Sequence, residues 1–263
     1  AGEEVEAADW FDQSKQPVVI SAEDGIQLHG WLFDPDCAGA KLHLYAICCH
    51  GYSGQPQDMA KYAHRFARLG FTVLVPALRG HGLSEGRYAG MGWLDRRDLM
   101  RWISLIIGSD ADARILLQGK SMGAAAVMMT VGEPDLPRNV VAAVEDCGYA
   151  SVVQQFIDCA RSMFHLPKFL AKPIVTTMGA IAQRRAGYGF QEASCVEQLK
   201  HATIPMLFIH GGADDFVPSR ALDENFDACA SIDRQKLLIP SAGHSMSAST
   251  APVVYWKTVT NFV

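Results

Sequence analysis

The sequence predicts an α/β architecture, a mostly parallel eight-stranded sheet flanked by helices and wound on both faces. Three observations carry that reading. Eight short apolar segments alternate with amphipathic ones along the 263 residues, the rhythm of strand–helix–strand units. From residue 42 onward the short segments are near-continuous apolar runs, as expected of parallel strands buried on both faces. The first two segments have only Glu23-Asp24-Gly25 between them, too little for a crossover, so one edge of the sheet should be an antiparallel hairpin.

The elements follow in order. VVISA at 18–22 and LHGWLF at 28–33 form the hairpin, and LHLYAICC at 42–49 is the first buried strand. MAKYAHRFARLG at 59–70 places apolar residues at three- and four-residue spacing and ends on Gly70, a C-terminal stop. FTVLVPAL at 71–78 is the next strand, and WLDRRDLMRWISLII at 93–107 the next helix. RILLQ at 114–118, the small-residue helix AAAVMMTV at 124–131 and VVAAVED at 140–146 continue the alternation. IPMLFIHG at 204–211, ALDENFDACA at 221–230, KLLIP at 236–240 and VVYWKTVTNFV at 253–263 complete it.

One stretch breaks the rhythm. Residues 150–203 separate two strands where one helix would suffice. FIDCARSMF, FLAKPIVTTMGAIAQRRAGYG and EASCVEQLKH all read as helical, with Pro167 and Pro173 as interruptions. An insertion after a strand's carboxyl end sits over the side of the sheet where ligands bind. It is expected to be a helical lid within a single domain, and extra core-covering helix is the alternative.

Composition excludes several classes. The formal net charge is −5 and no basic run occurs, which argues against a nucleic-acid partner. No apolar stretch reaches the roughly 18–20 residues of a membrane-spanning helix. The seven cysteines are scattered without a C-x-x-C, and H-E-x-x-H is missing. That favours packed thiols over disulfides and gives no zinc pattern. Neither a metal nor a cofactor is expected.

Residues 115–123, ILLQGKSMG, admit two readings. As the end of G-x-x-x-x-G-K-[ST], Gly119-Lys120-Ser121 would close a phosphate loop. The required earlier glycine is Arg114, however, and Ile115-Leu116-Leu117 is strand-like, so no glycine-rich loop can curl round a phosphate. As G-x-S-x-G, the same letters place Ser121 on a sharp strand-to-helix turn, with Gly119 and Gly123 letting the helix approach the strand. Lys120 is then a spacer.

A serine needs a base, an acid to orient that base, and donors for an oxyanion. Asp214 in HGGADDFVP and His244 in SAGHSMS each follow a predicted strand. The order Ser121, Asp214, His244 is the one expected when this chemistry is built on such a sheet. Asp215 and Asp146 are alternative acids. The backbone N–H groups of Tyr52, in CCHGYSG, and Met122 are the candidate oxyanion donors, and the Tyr52 ring is expected in the pocket. His50 and His210 precede glycines at strand ends and are expected to hold loop backbone, while Arg79 and His81 shape a loop. Met122, Met128, Met129, Met163 and Met178 are packing residues or a soft acyl pocket.

With these motifs in hand the chain resembles the α/β-hydrolase superfamily of serine hydrolases from about residue 18 to its end. H-G-x-S-G after the third strand, L-R-G-H-G-x-S-E-G after the fourth, D-x-x-V-P and the late G-H are similar to a bacterial branch. That branch holds lid-bearing esterases related to the prolyl-oligopeptidase and acyl-aminoacyl-peptidase families. Relatives often carry an aspartate two residues before the arginine of that second motif, where this chain has Ala77. The resemblance implies cofactor-free hydrolysis of a carboxylic ester, with aminopeptidase or acyl-peptide hydrolase second, acyl-CoA thioesterase third and a non-catalytic binding module last. The expected partner is a small acyl ester or a short peptide. Unpaired thiols point to the cytoplasm. Several members of the branch have an N-terminal anchor, so a membrane tether ahead of Ala1 is the other expectation.

Overall fold

The computed structural model describes residues 2–263. All eight predicted strands are present: β1 (Gln16–Ser21), β2 (Gln27–Phe33), β3 (Leu44–Cys49), β4 (Thr72–Pro76), β5 (Arg114–Lys120), β6 (Val140–Asp146), β7 (Met206–Gly211) and β8 (Arg234–Ile239). They form one sheet in the order β1-β2-β4-β3-β5-β6-β7-β8. β1 and β2 pair antiparallel, β2 pairs antiparallel with β4, and every later pairing is parallel. The parallel strands therefore all point their carboxyl ends to one edge.

Alternation of side chains across the pleat explains why the middle strands lack a polar face. Ile47 and Cys49 of β3 join the core on one side of the sheet, together with Leu117 and Phe208. Ala46 and Cys48 join the core on the other side, with Leu116 and Val144. The first face is covered by α3 (Trp93–Ser109), α4 (Met122–Val131), α7 (Cys195–Leu199) and α8 (Arg220–Ala228). The second is covered by α1 (Gly2–Ser14), α2 (Ala60–Arg68) and α10 (Pro252–Phe262), with the single turn α9 (Ser247–Thr250) beside them.

The insertion contributes α5 (Val152–Phe164) and α6 (Lys168–Arg185) before α7. Ser151 caps α5 by accepting the Gln154 N–H, and Ser194 caps α7 by accepting that of Glu197. Only Ala171 and Val175 of α6 are buried. Phe156 of α5 stacks on Phe190 beyond α6 at 4.9 Å between ring centres, fixing the pair over the carboxyl edge.

Helix α1 departs from the sequence reading, which starts the fold near residue 18. Its buried side chains are Ala7 and Phe11 alone, one i, i+4 pair, too sparse to register as periodicity. Trp10 nevertheless stacks between Phe33 and His64, at 4.6 and 4.7 Å.

Candidate active site

Strand β5 enters the turn at Ser121 and helix α4 leaves it. Ser121 has φ 56° and ψ −120°, a conformation that costs a non-glycine residue on the order of 1–3 kcal/mol and clusters at working sites. The glycines on either side make the turn sterically possible. A Cβ on Gly119 would overlap the Gly123 carbonyl, and one on Gly123 would overlap the carbonyls of Cys49 and His50. The Ser121 N–H donates to the Asp146 carbonyl at 2.8 Å, tying the turn to β6.

Parallel β7 and β8 deliver the other two side chains to the same edge. The Ser121 Oγ lies 2.8 Å from His244 Nε2. His244 Nδ1 lies 2.7 Å from Asp214 Oδ2. A carboxylate can only accept, so Nδ1 carries the proton and Nε2 is free to accept from the Ser121 hydroxyl. The second carboxylate oxygen of Asp214 accepts the N–H groups of Phe216 and Val217, at 3.0 and 2.8 Å. Burial pushes the Asp214 carboxyl up, but His210, His244 and the Val217 N–H together hold it well below the usual carboxylate range. Asp214 thus stays ionised against the imidazole.

The alternative acids lie elsewhere. Asp215 is exposed and makes no bond to His244. Buried Asp146 accepts the Tyr255 hydroxyl at 2.8 Å. Tyr52 and Met122 flank Ser121 in one cleft, and among the described residues no carbonyl accepts either backbone N–H. Two N–H groups beside a serine hydroxyl are suited to an oxyanion.

The surrounding histidines and Arg79 hold the loops. His50 donates from Nδ1 to the Gly51 carbonyl at 2.8 Å and accepts the Leu78 N–H at Nε2 at 3.0 Å. Burial pushes it down to about 4, consistent with a neutral ring. His81 accepts the Ser53 N–H at 3.0 Å, fixing the loop that carries Tyr52. Arg79 forks onto Asp98 with two 2.7 Å bonds and reaches Asp24 at 2.8 Å. His210 donates to the Val217 carbonyl at 2.9 Å and also faces Asp214 Oδ2 at 3.4 Å, a second contact that loop-holding alone did not suggest.

The cleft beside Ser121 has a volume of about 450 Å³ and is lined mainly by apolar and aromatic side chains, within the ordinary size of a small-molecule site. The sequence reading missed most of this lining. Met91, Tyr149, Phe156, Tyr188, Phe190 and Phe216 come from separate loops and helices, so no local pattern unites them. The only local signal was Phe216, two residues beyond Asp214. Tyr149 and Tyr188 donate their hydroxyls to the Met91 and Ala89 carbonyls, so they present rings to the cleft. The sole charged side chain in the lining is Arg185.

Among the described residues two groups bring metal-type ligand atoms within 4.8 Å of one another. One is Cys147 with Asp214 and His244, in which His244 and Asp214 bond each other and His244 faces Ser121. The other, His43 with Asp110 and Asp112, lies on the far side of the sheet's strands at the start of β3 and is largely exposed.

Comparisons with known proteins agree with this architecture. The profile of the family described as "Serine aminopeptidase, S33" matches residues 42–184. The uncharacterized protein YqkD of Bacillus subtilis is 26% identical over 96% of this chain and 81% of its own length. The uncharacterized protein Rv2307c of Mycobacterium tuberculosis is 29% identical, over 87% and 72% respectively. The Pyrococcus furiosus esterase Pf2001 superposes with a TM-score of 0.74 at 20% identity, covering 94% of this chain and 91% of that one. No helix among the described residues is long and apolar enough to cross a membrane.

Proposed function

The chain belongs to the serine aminopeptidase S33 family of α/β-hydrolases, and from that premise we propose that it is a serine esterase acting on small carboxylic esters with an apolar acyl group. Ser121 is the nucleophile. His244 Nε2 takes the hydroxyl proton as Oγ attacks the acyl carbonyl, and the N–H groups of Tyr52 and Met122 receive the oxyanion. The imidazolium then gives its proton to the leaving alcohol, leaving an acyl-enzyme. Water, deprotonated by the same nitrogen, releases the acid. Asp214 holds the tautomer and offsets the transient positive charge. The insertion at 150–203 acts as a lid, with α5 and α6 forming the roof of the cleft.

The observation that carries the ester reading is the cleft's lining. An aminopeptidase must hold a cationic α-amino group, which calls for a carboxylate near the serine. The cleft offers rings, aliphatic carbons and Arg185, with no Asp or Glu in its lining. The family's description favours the aminopeptidase as the second reading. A parallel panel of p-nitrophenyl esters, acetyl to palmitoyl, and aminoacyl p-nitroanilides separates the two. The esterase reading expects higher kcat/KM on esters, whereas preferential turnover of the anilides would overturn it.

A further inference from the structure

The roof of the cleft carries an apolar surface that nothing in the fold covers. Helix α6 rests on the body through Ala171 and Val175, with Gly179 and Ala182 only half-buried. Leu170, Ile174, Met178 and Ile181 are exposed, and their spacing of four, four and three residues sets them on one helix face. At the joint between α5 and α6, Phe164 is 70% and Phe169 is 74% exposed. The stripe leads into the cleft, because Met178 and Ile181 also line it. Scattered exposed apolar residues need no explanation, but a continuous strip does.

Charge identifies what covers it. Residues 159–191 hold Arg161, Lys168, Lys172, Arg184 and Arg185 and contain no Asp or Glu, in a chain with 28 acids against 23 Lys and Arg. All five cations are exposed. None forms an ion pair among the described residues, whereas Arg65, Arg79, Arg96, Arg97 and Arg220 all do. A basic, apolar face is complementary to an anionic apolar interface, whereas two copies of it set against each other would bring like charges together. Apolar side chains flanked by Lys and Arg are the composition of helices that lie in a lipid headgroup region.

We propose that the α5–α6 face docks on an anionic lipid surface, placing the mouth of the cleft against the membrane so that acyl esters enter from the bilayer. The docking stands on the surface itself. Only the delivery of substrate rests on the esterase reading.

Co-sedimentation of the full chain with phosphatidylglycerol vesicles and with phosphatidylcholine vesicles, at low and high salt, tests this. The chain is expected to pellet with phosphatidylglycerol at low salt, to be released at high salt, and to remain in solution with phosphatidylcholine. Two double variants outside the cleft lining, Phe169→Ser with Ile174→Ser and Lys168→Glu with Lys172→Glu, are expected to lose binding by about tenfold or more. Both should hydrolyse soluble p-nitrophenyl acetate at the wild-type rate. Failure of the wild type to pellet, equal binding to both vesicles, or variants that bind as wild type overturns the proposal. So does a concentration-dependent dimer in sedimentation velocity that Phe169→Ser with Ile174→Ser dissociates, which assigns the stripe to a second copy. Repeating the binding with Ser121→Ala keeps the two readings apart: that variant pellets if docking holds, whatever the chain hydrolyses.

Discussion

Asp214 and His244 meet at 2.7 Å through Oδ2 and Nδ1, while the backbone of Phe216 and Val217 holds the other carboxylate oxygen. The loop after β7 therefore fixes the acid from behind, and the acid fixes the ring in front of it. This two-sided restraint sets Nε2 within 2.8 Å of Ser121 and ties the orientation of a residue on one loop to the backbone of another.

Removing the charge alone should expose that dependence. Asp214→Asn keeps the size of the side chain but destroys the tautomer preference, and kcat is expected to fall by about 10⁴. Asp215→Asn, one residue along and exposed, should leave kcat at the wild-type level. Steady-state kinetics on one ester with both variants checks the assignment, and an inversion of the two results would move the acid to Asp215.

The glycines of the turn make a prediction about folding. Gly123→Ala puts a methyl group into the carbonyls of Cys49 and His50, backbone that cannot move without shifting β3. The expected destabilisation is about 3 kcal/mol or more, read as a lowered midpoint in urea unfolding. An unchanged midpoint would mean that α4 can retreat from the sheet.

Arg79 answers for two acids. Asp98 is buried against its guanidinium, so Arg79→Leu strands that carboxylate and is expected to cost about 3–5 kcal/mol. Adding Asp98→Asn should recover part of the loss in a double-mutant cycle. Independent, additive effects would show that the fork is not the source of the stability.

Glu145 gives the pH dependence. Burial pushes its carboxyl from 4.5 up to about 8, so the folded state holds this proton more tightly than the unfolded chain does. Its contribution is whole at acid pH and is lost as pH climbs toward 8. Asp214, held low, works in the opposite sense, and its contribution is lost only as pH falls below about 3.8. Glu145→Gln should therefore gain stability relative to wild type between pH 5 and pH 8, measured by thermal melts across that window. A constant difference between the two proteins would contradict it.

Legibility in the sequence followed the range of the interactions. β3 and β5 were readable because burial on both faces makes each a local apolar run. Ser121 was readable because its turn needs Gly119 and Gly123 close by in sequence. Asp214 and His244 could be named because each sits just beyond a buried strand. Helix α1 could not be read, since Ala7 and Phe11 are its only buried positions. Nor could the fork from Arg79 to Asp98, because that pairing is made by tertiary structure. The cleft was the least legible part, as Met91, Tyr149 and Phe190 come from segments far apart in sequence and meet only in the tertiary structure.

The proposed esterase chemistry requires Ser121 to be a nucleophile activated by His244, 2.8 Å away. A fluorophosphonate probe followed by peptide mass spectrometry tests it without knowledge of the natural substrate. One adduct is expected, on Ser121, formed rapidly in the wild type, slowly in His244→Ala and not at all in Ser121→Ala. A folded wild type that takes no label, or takes it on another residue, would mean that Ser121 is not an activated nucleophile.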